Sequence, residues 1–194
     1  MRTPNVLGLC ALMLVLASCG STPDSRFYIL SARDARTEEP DGTIVWVGPV
    51  VLPDYLMRSE VVSLSTEHSL EVADFDRWAE PLVEGFSRAL VLNLGAELPA
   101  SRVIEDTWEA PVEPGMSVLR VTVTVLRFDA CDDGQVRLQA RWTLGGMGEA
   151  APPKVFTTSL ARPSPGEDIH GQVEVMSALI DDLAQEIAGA LRSR

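Results

Sequence analysis

The sequence predicts an α+β fold, or an α/β variant of one: a mixed, largely antiparallel sheet packed by two main helices, as a single domain. Three observations carry this. Two long segments alternate apolar and polar residues, which is the period of half-buried antiparallel strands. Two other segments carry apolar stripes at helical spacing. Strands outnumber helices without a regular βαβ alternation, so the helices are expected on one face of the sheet.

In chain order, residues 27–30 read as a first strand. Residues 33–42 are charged and break at Pro40-Asp41-Gly42, which makes them a loop. Residues 43–52 are nearly all apolar and β-branched, as in a strand covered on both faces. Gly48-Pro49 places a bulge or an edge position inside it, and Pro53 ends it. Residues 61–65 and 69–73 predict a hairpin turning at Glu67-His68. Pro81 suits the first turn of a helix, Leu82, Phe86, Leu90 and Leu94 recur every four residues, and Gly95 is the expected stop.

Leu119, Val121, Val123 and Val125 then alternate with Arg120, Thr122 and Thr124. After Asp132-Asp133-Gly134, Val136, Leu138, Ala140, Trp142 and Leu144 alternate with polar partners. Residues 154–160 predict a further strand, and Pro163, Pro165 and Gly166 a loop. A final helix over 169–191 carries the stripe Met176, Leu179, Ile180, Leu183, Ile187 and Leu191, with Asp181, Asp182, Gln185 and Glu186 toward water.

The N-terminus is of another kind. Arg2 precedes twelve apolar residues, 6–17, too few for the roughly 20 that span a bilayer but fitting a secretory signal. Leu16-Ala17-Ser18 directly precedes Cys19, and this segment looks like a bacterial lipobox. Leu9, too large for the cleavage pocket, removes Cys10 as a rival. The expected mature chain starts at Cys19, diacylated on sulfur and acylated on nitrogen. Two or more acyl chains anchor a protein stably. The alternative is an ordinary secretory signal with Cys19 incidental. The resulting division is 1–18 signal peptide, 19–25 short lipidated tether and 26–194 folded domain. In lipoproteins an Asp after the cysteine marks inner-membrane retention; Gly20 stands there, which points to the outer membrane. Seven steps from Cys19 to Arg26 reach roughly 25 Å at most, so the domain is expected to sit close to its membrane.

Composition narrows the function classes. The chain has 194 residues and a net charge of −12. An acidic surface repels phosphate backbones, so no nucleic acid is expected as a partner, and no basic patch binds the membrane. With Cys19 modified and Cys10 removed, Cys131 is the one thiol left and closes no disulfide within the chain. Asp132 and Asp133 beside it would raise its pKa.

Several motifs fail on inspection. Asp129-x-Cys131-x-Asp133-Gly134 opens like a calcium loop, but position three is Cys and strands flank it, so a hairpin turn is expected. Gly145-Gly146-Met147-Gly148 lacks the Lys-Ser/Thr of a phosphate loop. Gly115-Met116-Ser117-Val118-Leu119 lacks the second glycine of a nucleophile elbow. His68 and His170 are too far apart in sequence to propose a metal site or a triad. No catalytic residue, metal or cofactor is expected.

Four segments together resemble the PqiC/YmbA family of ABC-type transport auxiliary lipoproteins. They are Ser25-Arg26-Phe27-Tyr28-Ile29-Leu30; Val47-Gly48-Pro49-Val50-Val51-Leu52-Pro53-Asp54-Tyr55-Leu56-Met57-Arg58; Asp76-Arg77-Trp78-Ala79-Glu80-Pro81-Leu82 with Gly85-Phe86-Ser87-Arg88-Ala89-Leu90 and Asn93-Leu94; and Leu126-Arg127-Phe128-Asp129 with Leu138-Gln139-Ala140-Arg141-Trp142. The resemblance covers nearly the whole mature chain. Ser63 departs from it, standing where members often carry a further basic residue.

The resemblance implies a non-enzymatic outer-membrane part of an envelope lipid-transport system. Its implied partner is a periplasm-spanning protein with MCE domains, docked to the outer membrane. A ring-shaped or filament-end partner would favour several copies together, hence a homo-oligomer. Tyr55, Leu56, Arg58, Arg77 and Trp78 are the candidate contact, because Tyr, Trp and Arg dominate interface energies. The alternative places Trp78 and Leu56 in the core, with Arg77 and Arg58 pairing internal acids. Two rival functions are a lipid-binding module that itself holds an acyl chain and an envelope hydrolase.

Overall fold

The computed structural model describes residues 23–34, 42–66, 68–106, 115–146, 152–166 and 168–194. The expected signal segment, Cys19 and most of the expected 33–42 loop lie outside them.

Eight strands form one mixed sheet: β1 (Arg26–Tyr28), β2 (Thr43–Val51), β3 (Glu60–Thr66), β4 (Ser69–Trp78), β5 (Arg102–Glu105), β6 (Ser117–Cys131), β7 (Gln135–Gly146) and β8 (Lys154–Pro163). Helices α1 (Leu82–Glu97) and α2 (Ile169–Arg192) complete the fold.

β6 is the spine. One of its edges pairs antiparallel with β7 from Leu119↔Gly146 to Cys131↔Gln135, and β8 continues antiparallel on β7. The other edge is shared. β2 runs parallel to its first half, and β3 runs parallel to its end at Ser63↔Ala130 and Leu64↔Cys131. β5 extends the sheet beyond β2, while β4 and then β1 extend it beyond β3. The long antiparallel ladders follow from the alternation in sequence, which buries Val121, Val123 and Val125 of β6 and Val136, Leu138, Ala140, Trp142 and Leu144 of β7.

That alternation breaks at Leu126. The register shifts between Val125 and Arg127, Leu126 is exposed, and Phe128 and Ala130 resume the buried side. A bulge of this kind hides the second half of a strand from a period-two reading. The bulge expected at Gly48-Pro49 is present: β2 shifts register between Val47 and Val50, with Gly48 at φ 134°. Only glycine adopts that backbone readily. β2 is central, with β5 and β6 on its two edges.

Both helical stripes face one core. Leu82, Phe86, Leu90 and Leu94 of α1 and Met176, Leu179, Ile180, Leu183 and Ile187 of α2 are buried in the same cluster as the inner sheet face. Phe86 meets Phe128 edge to face at 5.3 Å, and Trp142 stacks on Phe156 at 4.1 Å. Gly95 does not stop α1, which runs to Glu97; the Leu98 amide still donates to the Leu94 carbonyl at 2.8 Å. An interior glycine costs a helix about 1 kcal/mol relative to alanine, and the buried stripe outweighs it. Asp181 and Asp182 do not simply face water. They pair with Arg33 and Arg162 at 2.7 and 2.6 Å.

After β1 the chain crosses the helix layer as a strap. The Leu30 carbonyl accepts from Arg88 of α1 at 3.0 Å, Ser31 N–H donates to Ser177 Oγ of α2 at 3.1 Å, and Arg33 N–H donates to Asn93 Oδ1 of α1 at 2.8 Å. The Arg33 side chain also reaches Glu97 at 2.6 Å.

Phe128 has no solvent exposure and carries the second half of β6 onto α1. Phe128→Ala is expected to lower the unfolding free energy by about 3–5 kcal/mol. Urea denaturation measures this, and a loss close to zero would show that the bulged end of β6 is not packed as described.

Candidate docking site

The residues singled out from sequence meet where β2 leaves the sheet and β4 ends. After β2, Pro53 opens a 3₁₀ turn, Asp54–Leu56. Leu56 is buried at 3% exposure and Trp78, the last residue of β4, at 8%. These two take the core places that the alternative reading gave them. Tyr55 is half-buried, and its hydroxyl donates to Asp129 Oδ2 at 2.7 Å. Burial and the hydrogen bond to Asp129 push the Tyr55 hydroxyl well above its ordinary pKa. Asp129 is fully enclosed and also accepts from Arg127 Nε at 2.9 Å.

Arg58 and Arg77 flank Glu60 at 3.6 and 3.7 Å, yet their side chains keep 43% and 40% of their surface exposed. A backbone hydrogen bond at Glu60, helped by Ser59 and the two arginines, holds its carboxyl below its usual value. The two segments are tied directly, because Trp78 N–H donates to the Ser59 carbonyl at 2.7 Å. Between them lies an open cleft of ≈ 390 Å³, walled by Met57–Ser59 on one side and Trp78–Leu82 on the other. Met57 stands at this cleft with 55% exposure. Sequence reasoning passed over it. Its signal was an unbranched, adaptable side chain set between Leu56 and Arg58.

Glu80, on the far wall of the cleft, is held in place from α1. Glu80 Oε1 accepts from Arg88 at 2.5 Å, and the same guanidinium holds the strap at Leu30. A Cβ on Gly85 would come within 3.0 Å of Glu80 Oε1, so the glycine leaves room for this carboxylate. One residue before Arg77, Asp76 is buried. It accepts from the Tyr28 hydroxyl at 2.8 Å and from Arg26 at 3.0 Å, which locks β1 onto β4. Burial alone would raise the Asp76 pKa; the hydrogen bonds from Arg26 and Tyr28 overcome it and hold the carboxyl below its ordinary value.

Other candidates stand apart from this cleft. Cys131 ends β6 half-buried, and burial pushes its thiol pKa up. His170 pairs with Glu174 at 3.3 Å on the surface. Among the described residues, no three His, Cys, Asp or Glu side chains gather as a metal site requires, and no helix is long and apolar enough to cross a membrane. A larger open cleft of ≈ 680 Å³ lies by the β3–β4 hairpin, lined by Val61 and Ile169 but also by Ser63, Glu71, Asp132 and Gln172.

Comparison with known proteins agrees with this architecture. The family model of the ABC-type transport auxiliary lipoprotein component matches residues 28–188. The intermembrane transport lipoprotein PqiC of Escherichia coli (strain K12) is 28% identical over 141 residues, covering 70% of this chain and 72% of that protein. PqiC of Shigella flexneri matches equally. Among solved structures, an uncharacterized protein superposes with a TM-score of 0.71 at 24% identity, covering 87% of this chain and 99% of the other. A protein from Xanthomonas campestris superposes with a TM-score of 0.65 at 15% identity, with the same coverage. These two establish the fold.

The depressed Asp76 pKa gives stability a pH dependence of known sign. The contribution of Asp76 is complete above its unfolded pKa, about 3.9, and is lost as pH falls through its lower folded value. Asp76→Asn is therefore expected to destabilise by about 1.5–3 kcal/mol near neutral pH. The gap to wild type should narrow as the pH is taken below about 4. Urea titrations across that range measure it, and a constant gap would mean that the charge on Asp76 contributes nothing.

Proposed function

Because this chain belongs to the family of ABC-type transport auxiliary lipoprotein components, we propose that it is the membrane-anchored docking component of an envelope lipid-transport system. In this reading the division 1–18, 19–25 and 26–194 holds, and acyl groups on Cys19 fix the domain to the periplasmic face of the outer membrane. The partner is the MCE-domain, periplasm-spanning protein of the same system, and the protein works by binding, without catalysis. Several copies gather around that partner.

The observation that carries the reading is the cleft beside Trp78. Its shape depends on buried, hydrogen-bonded residues, and its rim offers Met57 and Arg58, with Arg77 nearby against Glu60. Leu56, Trp78 and Tyr55 serve as the rigid support, and Arg58 and Met57 as the contact. A pocket of this kind, with an adaptable thioether and a guanidinium at its edge, accepts a protruding side chain or loop of a partner. The family is one of transport components rather than of enzymes, in keeping with a role in binding.

Met57→Ala combined with Arg58→Ala is expected to weaken capture of the purified MCE-domain protein by about 2 kcal/mol or more. The thermal midpoint should stay nearly unchanged, because both side chains are exposed. Normal binding by this variant would move the docking face elsewhere. Cys19→Ala is expected to leave an uncleaved precursor or a domain released from the membrane. Intact-mass analysis of the wild type should show an acylated N-terminal cysteine, and an unmodified mature N-terminus would overturn the anchor.

A further inference from the structure

We propose that β1 and the residue after it carry a second, weaker membrane contact, formed by Phe27 and Ile29, which lies against the lipid surface that holds the acyl groups. The proposal rests on the Cys19 anchor described above and goes beyond it, because an anchor alone leaves the orientation of the domain free. Phe27 and Ile29 are 65% and 55% exposed, among the highest values of any large apolar side chain described. Val155, at 63%, is the comparable residue, and it sits on β8 at the opposite margin of the sheet.

The geometry sets which way Phe27 points. β1 is an edge strand whose one neighbour is β4, in the register Phe27↔Arg77 and Tyr28↔Trp78. Side chains alternate across a strand. Tyr28 enters the core with its hydroxyl on Asp76, and Phe27 is turned to the other face beside Arg77. The Arg26–Asp76–Tyr28 hydrogen bonds hold β1 in place, so Phe27 is presented on a fixed strand, with Ile29 the first residue beyond it.

Chain length supplies the occupant. From Cys19 to Phe27 is eight residue steps, a reach of at most about 26–29 Å. Phe27 and Ile29 are thus the exposed large apolar side chains first met on leaving the tether. Arg77, opposite Phe27 in the register and 40% exposed, shares its face, so on an acidic chain this corner offers a cation to lipid headgroups. Aromatic and aliphatic side chains beside cations are the pattern of surfaces that settle into the headgroup boundary. With the anchor and this corner both engaged, the cleft beside Trp78 is held at one tilt to the membrane.

The test uses the full, processed chain reconstituted in vesicles of phosphatidylethanolamine and phosphatidylglycerol. The photo-crosslinker p-benzoylphenylalanine replaces Phe27, Ile29 or Val155 in turn. Illumination is expected to add the mass of one phospholipid at positions 27 and 29 and none at 155. Equal adducts at all three positions, or none at 27 and 29, would overturn the proposal. So would crosslinks at 27 and 29 that join two copies of the chain without lipid. The same spectra report the acyl groups on Cys19. An acylated chain without adducts at 27 and 29 defeats this contact alone, whereas a free N-terminus defeats the anchor and the contact together.

Discussion

Asp129 is a carboxylate with no access to solvent, and the arrangement of the sheet depends on it. Taking such a charge out of water is costly unless it is paired and hydrogen-bonded. Here Arg127, two residues away on β6, and the Tyr55 hydroxyl supply that pairing. The site lies where one edge of β6 passes from β2 to β3. Between those strands the chain leaves the ladder through the 3₁₀ turn, and the bond from Tyr55 to Asp129 pins that turn to the spine. Removing either partner would leave a buried polar group unmatched and loosen the joint between the two halves of the sheet. The cleft begins at the residue after that turn, so the same bond positions Met57 and Arg58.

The residues that make the family recognisable are mostly internal braces. In the run from Asp76 to Arg88, Asp76 fastens β1, Trp78 fills the core, Glu80 holds Arg88, Gly85 makes room for Glu80, and Arg88 holds the strap. Each type makes a specific internal contact. A motif dense in Asp, Arg, Trp and Glu can therefore specify how a helix is entered, while the surface available to partners is made by less distinctive neighbours such as Met57.

What could be read from sequence follows the same physics. The stripes of α1 and α2 and the alternation of β6 and β7 were legible, because each element buries one face along its length. β5 escaped notice: Arg102-Val103-Ile104-Glu105 is too short to show a period, and it is a strand because β2 offers it a parallel edge. β4 reads as ending near Ala73, yet it reaches Trp78. Its pairing with β3 skips between Glu60↔Arg77 and Val62↔Val72, and the extra residues hide the continuation. At the docking corner, residue types gave the place but not the division of labour. Whether Leu56 or Met57, Trp78 or Arg77, faces outward depends on a turn and a bulge, and no local pattern encodes their phase.

The strap after β1 has a consequence for the order in which the chain can become a protein. Ser31 is bonded to Ser177, 146 positions later, and Arg33 is paired with Asp181. The earliest described segment is thus completed by the last helix. Contacts so distant in sequence close late, after the entropy of a long loop has been overcome. A chain emerging N-terminus first would have its beginning in place long before its core could shut. Ser31 and Arg33 would stay uncovered until the C-terminal helix arrived to bond them.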